Sequence, residues 1–403
     1  MRLKSEVLNY LQERGFIKDC TDLSTLDDLC NKQLIALYSG YDLTANSLHA
    51  GNLMTLMMLR AFQKYGHTVI ALLGGATTKI GDPTGRDTAR PVLTDEQVRI
   101  NLQGIAGNFE QVFPKPVKVV NNYDWLAGVG YFQFLQEIGT HFTLDRMSAM
   151  DSIQLRMGKG ITLTELNYMV MQAYDFLHLY KEENCVLQIG GSDQWGNITQ
   201  GVELIRRTYF AKGVNVQTKA FGLTCPLITR ADGSKMGKSA DGAVWLAREK
   251  LSHFEYFQYF RNIADGDVSK CLRFFTELPL QEIQKLDALQ GKEINDAKKI
   301  LAFEATKIIH GETYALEAQK SAEDIHEHDN KTTNAIEVVT VNSSNILDVL
   351  LEVGFVKSKG EAKKLLAQNA VKINDALCVD ISSEVQSESV LQIGKKRFIR
   401  IVR

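Results

Sequence analysis

Three groups of residues in this sequence have types and spacings suited to chemistry on a nucleotide or a small zwitterion. The first is His49-Ala50-Gly51-Asn52, set in the polar stretch that runs from Ser39 through Gly40, Asp42 and Thr44. Glycines let a ligand approach the backbone, the free N–H groups of a helix start favour phosphate, and a histidine donates hydrogen bonds. The second is Asp232-Gly233-Ser234-Lys235-Met236-Gly237-Lys238-Ser239, a glycine-hinged loop with two lysines three apart and a hydroxyl after them. The third is Tyr168, Gln172 and Asp175, spaced i, i+4 and i+7, so that a phenol, an amide and a carboxylate share one helix face. Such groups among Met169, Met171, Phe176 and Leu177 are costly to bury in a plain core, and a site for a small polar zwitterion explains them better.

The elements that must hold these residues are legible around them. Leu34 to Tyr38 reads as a buried strand and Asn52 to Phe62 as a helix, so the first group sits where a strand hands over to a helix. Thr68 to Leu73, Val117 to Asn121 and Cys185 to Ile189 read as further strands, and Ala220 to Ile228 as another apolar run. Between them lie a helix opened by the capping-box-like Thr94-Asp95-Glu96-Gln97 and running to about Phe113, and the helix from Thr164 to Tyr180. Short apolar runs alternating with helices are the pattern of a doubly wound parallel sheet. Its strand ends converge on one pocket, which would gather Tyr38, Asp82, Asp193 and the run before the lysine loop. Residues 1–33 read as helix, turn and helix, and 123–162 as mostly helical.

The first two groups resemble the HIGH and KMSKS signatures of class I aminoacyl-tRNA synthetases. Tyr38-x-Gly40-x-Asp42-x-Thr44, Gly81-Asp82-Pro83-Thr84-Gly85, Gln172-Ala173-Tyr174-Asp175 and Gly190-Gly191-Ser192-Asp193-Gln194-Trp195-Gly196-Asn197 narrow the resemblance to the bacterial-type tyrosyl-tRNA synthetases, over essentially the whole chain. Two positions depart from the generic signatures: Asn52 stands for the final histidine of HIGH, and Gly237 for the serine of KMSKS. The resemblance implies a ligase that activates L-tyrosine with ATP to tyrosyl-adenylate and diphosphate, then passes the tyrosyl group to the 3′ end of tRNA(Tyr). It implies that Tyr168, Gln172 and Asp82 hold the tyrosine ammonium, that Tyr38 and Asp175 bind its phenolic hydroxyl, and that Gln194 reaches its carboxyl group. Gly40, Asp42, His49, Gly51, Asn52, Asp193, Lys238 and Ser239 would line the ATP side. His49, Thr44, Lys235, Lys238 and Arg86 would stabilise the reacting phosphate. Magnesium would come with the ATP, with no protein-bound structural metal. The insertion at 123–162 would form a homodimer interface. The related tryptophanyl-tRNA synthetases share both signatures, and a non-catalytic RNA-binding or splicing derivative would share the fold.

After Ser239 the pattern turns almost wholly helical, with Trp245–Phe260, Lys270–Phe275, Leu280–Leu289 and Ile294–His310 in helical spacing. The expected division is a Rossmann-like catalytic domain over 1–230, the lysine loop over 231–242, an α-helical anticodon-binding domain over 243–325, a linker over 326–343 and a small α+β domain over 344–403. The last resembles the S4 type of RNA-binding domain, with Lys359, Lys363 and Lys364 on one helix face. This tail holds ten basic and seven acidic residues, and the clustering of the excess marks an RNA-facing patch. The chain as a whole carries a net charge of −2, so RNA binding has to come from such local patches. With 44 % hydrophobic and 23 % charged residues it is an ordinary globular sequence. Its six cysteines show no C-x-x-C pair, which points to reduced cytoplasmic thiols and away from zinc. No apolar run approaches the ~18 residues needed to cross a membrane.

Overall fold

The computed structural model describes residues 2–84, 93–148, 150–154, 160–211, 219–230, 233, 236–239, 242–327, 337–374, 376–394 and 397–402. The chain divides into two compact units, Met1–Glu312 and Thr313–Arg403. The first opens with α1 (Glu6–Arg14), β1 (Asp19–Cys20) and α2 (Leu23–Lys32), followed by β2 (Ala36–Asp42), α3 (Leu53–Lys64), β3 (Thr68–Gly74), α4 (Thr77–Ile80), α5 (Asp95–Val112) and β4 (Lys118–Asn121). Four short helices come next: α6 (Tyr123–Leu126), α7 (Tyr131–Glu137), α8 (Leu144–Ser148) and α9 (Asp151–Gln154). The long α10 (Leu163–Glu183) leads to β5 (Cys185–Gly191), α11 (Trp195–Ala211) and β6 (Phe221–Cys225).

These strands form one sheet in the order β1-β6-β5-β2-β3-β4, parallel throughout except for β1, which runs antiparallel to β6. The short strand β1 sits inside what the sequence reads as helix, turn and helix; two residues are too few to show a period. β2 is central, flanked by β3 on one side and β5 on the other. The chain therefore leaves β2 in one direction and returns to its far side, which opens a crevice at the carboxyl ends of β2 and β5. Helices on both faces explain why β3 and β5 are apolar almost without a break. Three α-helix starts among the described residues carry capping boxes: Thr94 with Gln97, Thr162 with Glu165, and Ser252 with Glu255.

Beyond the small hairpin β7 (Lys238–Ser239) and β8 (Gly242–Ala243) come α12 (His253–Arg261), α13 (Val268–Phe275), α14 (Leu280–Asp287) and α15 (Ile294–His310). α13 packs on α3 and α15 on α5, so this helical layer belongs to the same compact unit as the sheet. The helix expected from Trp245 starts only at His253. Trp245 is instead extended and bridges His49, and the Ser252 cap begins the helix.

α16 (Glu312–Glu327) leads into the second unit, which holds β9 (Glu337–Thr340), α17 (Ile346–Glu352), α18 (Lys359–Ala367), β10 (Val371–Ile373), β11 (Ala376–Leu377), β12 (Val390–Ile393) and β13 (Arg397–Val402). Its sheet runs β11-β10-β12-β13-β9, over a core that includes Ile346, Leu350, Leu366, Val371, Leu391 and Ile401. β9 lies parallel to β13, so this sheet draws its edge strand from the stretch read as linker.

Candidate active site

A cavity of about 690 Å³ opens at the crevice beside β2. Lining it are Tyr38, Gly40, Asp42, Thr44, His49, Gly51, Asn52, Asp82, Tyr168, Gln172, Asp175, Asp193 and Gln194, so those residues expected from sequence do converge. Arg86 and Lys235 lie outside the described residues, and of Lys238 and Ser239 only the backbone is described.

One end of the cavity is built on β2 and α10. Tyr38, Gly40 and Asp42 alternate along β2 and so share a face. Tyr38 is buried with its ring 5.3 Å from that of Phe176 on α10, and its hydroxyl has no hydrogen-bond partner. Asp175 is buried beside it. Burial pushes the Asp175 carboxyl up to about 7, although two donors favour its charged form: Asn122 Nδ2 at 2.9 Å from Oδ2, and Trp125 Nε1 at 2.8 Å from Oδ1. The same Asn122 receives the Ala76 N–H at 2.8 Å and donates to Thr77 at 3.0 Å, while Trp125 stacks on His178 at 4.3 Å. Neither Asn122 nor Trp125 was singled out from sequence. Both lie about fifty residues from Asp175 along the chain, in a region whose sequence shows only apolar stripes.

Polar groups form a chain along the wall. Gln194 Nε2 donates to Asp82 Oδ2 at 2.8 Å, Gln172 Nε2 to Gln194 Oε1 at 3.4 Å, and Asn197 Nδ2 to Gln172 Oε1 at 3.1 Å. Asp82 also caps the Thr84 N–H at 2.9 Å. Asn197, at the end of the Gly190–Asn197 motif, is thus a further member of the network. Tyr168 donates its hydroxyl to Asp42 Oδ2 at 3.1 Å, and Thr77 donates to Asp42 Oδ1 at 3.3 Å. Asp42, read from sequence with the nucleotide side, therefore meets Tyr168 on the α10 side. A Cβ at Gly74 would fall 2.5 Å from Thr77 Oγ1 and 2.7 Å from Asp42 Oδ1, so glycine leaves room for this pair as it stands.

The other end is the His49 turn. His49 Nδ1 accepts the Gly51 N–H at 3.0 Å, which leaves Nε2 as the N–H of the neutral ring. Asn52 Oδ1 accepts the His49 N–H at 3.1 Å, so this oxygen serves the turn. Nearby, a Cβ at Gly191 would fall 2.5 Å from Asp193 Oδ1, so glycine again makes room for a carboxylate at a strand end. Asp42, Asp82, Asp175 and Asp193 all line the cavity, with no lysine or arginine among its described lining residues.

In the second unit, the Lys359, Lys363 and Lys364 side chains are exposed on α18, and Lys359 pairs with Asp348 at 2.5 Å.

Comparison with known proteins fits this arrangement. A family described as tRNA synthetases class I (W and Y) matches residues 31–327, and one described as Tyrosine--tRNA ligase SYY-like C-terminal domain matches residues 325–401. A tyrosine--tRNA ligase of Wolbachia pipientis subsp. Culex pipiens is 44 % identical over 421 residues, covering 100 % of this chain and 99 % of the relative. One from Clostridium botulinum (strain Loch Maree / Type A3) is 41 % identical over 412 residues, covering 99 % of each. The crystal structure of a C-terminally truncated mitochondrial tyrosyl-tRNA synthetase from Coccidioides posadasii matches with a TM-score of 0.70 at 30 % identity, covering 78 % of this chain and 91 % of that one.

Proposed function

This chain belongs to the class I tRNA synthetases of the tryptophan and tyrosine group and is a tyrosine–tRNA ligase; from that premise we propose how its residues divide the work. The phenolic hydroxyl of the substrate sits between Tyr38 and Asp175, donating to the carboxylate and accepting from the Tyr38 hydroxyl. The observation that carries this is the Tyr38 hydroxyl itself, buried without a partner beside a carboxyl held near neutrality. An orphaned buried hydroxyl is expensive, and a bound phenol satisfies it. An indole N–H only donates, so it cannot accept from Tyr38 while donating to Asp175 as a phenol does, which argues against tryptophan.

Asp82, Tyr168 and Gln172 take the ammonium group, with Asp42 orienting Tyr168, and Gln194 lies by the carboxylate. The carboxylate of tyrosine, ionised at neutral pH, attacks the α-phosphate of ATP and diphosphate departs. No base and no enzyme nucleophile is needed, so positioning and charge stabilisation supply the rate. His49 donates from Nε2 to a phosphate oxygen and Thr44 adds a hydroxyl. Gly40, Gly51 and Asn52 shape the nucleotide side, and Asp193 takes the ribose. A cavity lined by four carboxylates repels a triphosphate. Arg86, Lys235 and Lys238 bring the compensating charge, and Ser239 adds a hydroxyl. Among the described residues no group of three His, Cys, Asp or Glu is placed to hold a metal, and magnesium arrives on the phosphates.

The tyrosyl group then passes to tRNA(Tyr), with residues 243–325 towards the anticodon and Lys359, Lys363 and Lys364 on its backbone. The chain works as a homodimer in the cytoplasm. Supporting the dimer, α7 has no buried residue, and Tyr131, Phe132, Leu144 and Leu163 are each at least 65 % exposed; sedimentation of the intact chain as a monomer would remove it. No helix among the described residues is long and apolar enough to cross a membrane. Diphosphate exchange with each amino acid in turn tests the pocket: tyrosine should support it, and equal exchange with tryptophan would overturn the assignment.

A further inference from the structure

The His49 turn and the lysine loop meet backbone to backbone. Ala50 N–H donates to Val244 O at 2.7 Å, Val244 N–H to Gly237 O at 3.0 Å, and Leu246 N–H to Leu48 O at 2.9 Å. Gly237 lies in the left-handed region, with φ +102°, and a Cβ there would fall 2.6 Å from Gly51 N. Only glycine permits that approach. Lys238 follows directly, its backbone paired with Ala243 in the small hairpin. Where Gly237 sits therefore fixes where Lys238 starts.

The Gly237 carbonyl is held by Val244, but its N–H is held from elsewhere. It donates to the phenol oxygen of Tyr259 at 3.2 Å. Tyr259 is on α12, a helix that contributes nothing to the cavity lining. The Arg230 guanidinium bonds the same phenol oxygen. α13 grips the same segment at two further points: Lys270 Nζ donates to Thr229 O, and Cys271 Sγ lies 4.0 Å from Sδ of the buried Met236.

We propose that Tyr259 is a positioning residue for tyrosine activation. By accepting the Gly237 N–H it holds the loop against Gly51, so that Lys238 is delivered to the phosphates. The helical layer thereby has a direct hold on the first chemical step. This rests on the reading of Lys238 as a phosphate contact. A loop held only in this way favours the transition state without touching the tyrosine pocket, which is built on β2 and α10.

The test is Tyr259→Phe, which removes one oxygen and keeps the ring. Single-turnover adenylate formation should fall about 5- to 10-fold, as loss of one such hydrogen bond implies, while the Kd for tyrosine stays at the parental value. Rates are referred to the fraction of enzyme that binds tyrosine, so partial unfolding does not enter. In a Lys238→Ala background the same change should have almost no further effect, because Tyr259 acts through the delivery of that lysine. A parental rate in Tyr259→Phe, a matching loss of tyrosine affinity, or a full additional loss in the Lys238→Ala background would each overturn the inference. A parental rate in Lys238→Ala alone would instead overturn the reading of the loop, and the inference with it.

Discussion

Asn122 Nδ2 stands 2.9 Å from Asp175 Oδ2, while its amide oxygen takes the Ala76 N–H at 2.8 Å. One buried side chain thus ties the carboxylate at the base of the cavity to the turn that follows β3. Trp125 supplies the matching donor to the other carboxylate oxygen. Burial raises the Asp175 carboxyl, and these two donors limit the rise.

Asn122→Ala and Trp125→Phe should both weaken tyrosine binding and move its pH dependence upward. With the carboxyl at about 7 in the free enzyme, the ionised acceptor gains population as pH rises through 7. Tyrosine affinity should rise with it and level off above. Removing a donor to the charged form raises the pKa further and costs about 1.5–3 kcal/mol of binding at neutral pH. Titration of Kd against pH checks this; a profile unmoved in both variants would separate these residues from the phenol pocket.

Lys238→Ala should remove most activation and leave tyrosine binding nearly unchanged. A lysine that meets the phosphates chiefly as charge develops lowers the barrier without holding the amino acid. The loss should be about 3–4 kcal/mol. Single-turnover adenylate formation within a few-fold of the parent would refute the assignment.

His310 should make the fold sensitive to acid. Burial holds its pKa down at about 3 against 6.5 unfolded, with Arg248 and His253 adding to the effect, and both ring nitrogens lack partners, as do Tyr256 Oη and Thr306 Oγ1. The unfolded chain binds the proton first, so this contribution is intact above pH 6.5 and shrinks as pH falls towards 3. Between pH 6.5 and about 5.5 the parent should lose about 1 kcal/mol relative to His310→Phe. Denaturant unfolding at the two pH values measures the difference; parallel losses in both proteins would contradict it.

Removal of residues 337–403 should spare adenylate formation and impair transfer to tRNA. The cut precedes β9 because that strand pairs with β13, and a cut at Ser344 would strand it. If Lys359, Lys363 and Lys364 neutralise phosphates, each adds roughly 0.7–0.9 to the slope of log affinity against log salt. The truncated enzyme should show a flatter slope for tRNA binding with diphosphate exchange intact. Parental charging efficiency and salt dependence would show that this unit does not engage RNA.

Much of this site was legible because local rules decided it. Tyr168, Gln172 and Asp175 share a face by helical period alone, and all three line the cavity. The central strands were found from their apolar runs, although β2 continues to Asp42, because seven residues pair with β3 where the apolar run is only five long. What stayed hidden depends on long-range contact. The partners of Asp175 come from a stretch whose apolar stripes mark neither Asn122 nor Trp125 as a donor to it. Trp245 has the spacing of a helical residue, yet pairing with His49 keeps it extended. There the sequence did hold a usable signal, since Ser252 and Glu255 have the spacing of a capping box. The hold of Tyr259 on Gly237 had none, because no pattern marks a tyrosine in an amphipathic helix as the acceptor for one loop N–H.

The most direct test of the phenol pocket is the ratio of kcat/KM for tyrosine to that for phenylalanine, measured by diphosphate exchange in the parent, Tyr38→Phe and Asp175→Ala. Phenylalanine leaves the Tyr38 hydroxyl unpaired, at about 1–3 kcal/mol, and offers Asp175 no donor beyond those of Asn122 and Trp125. The parent should strongly prefer tyrosine, and the ratio should fall in each variant, more steeply in Asp175→Ala. A ratio unchanged in both variants would contradict it.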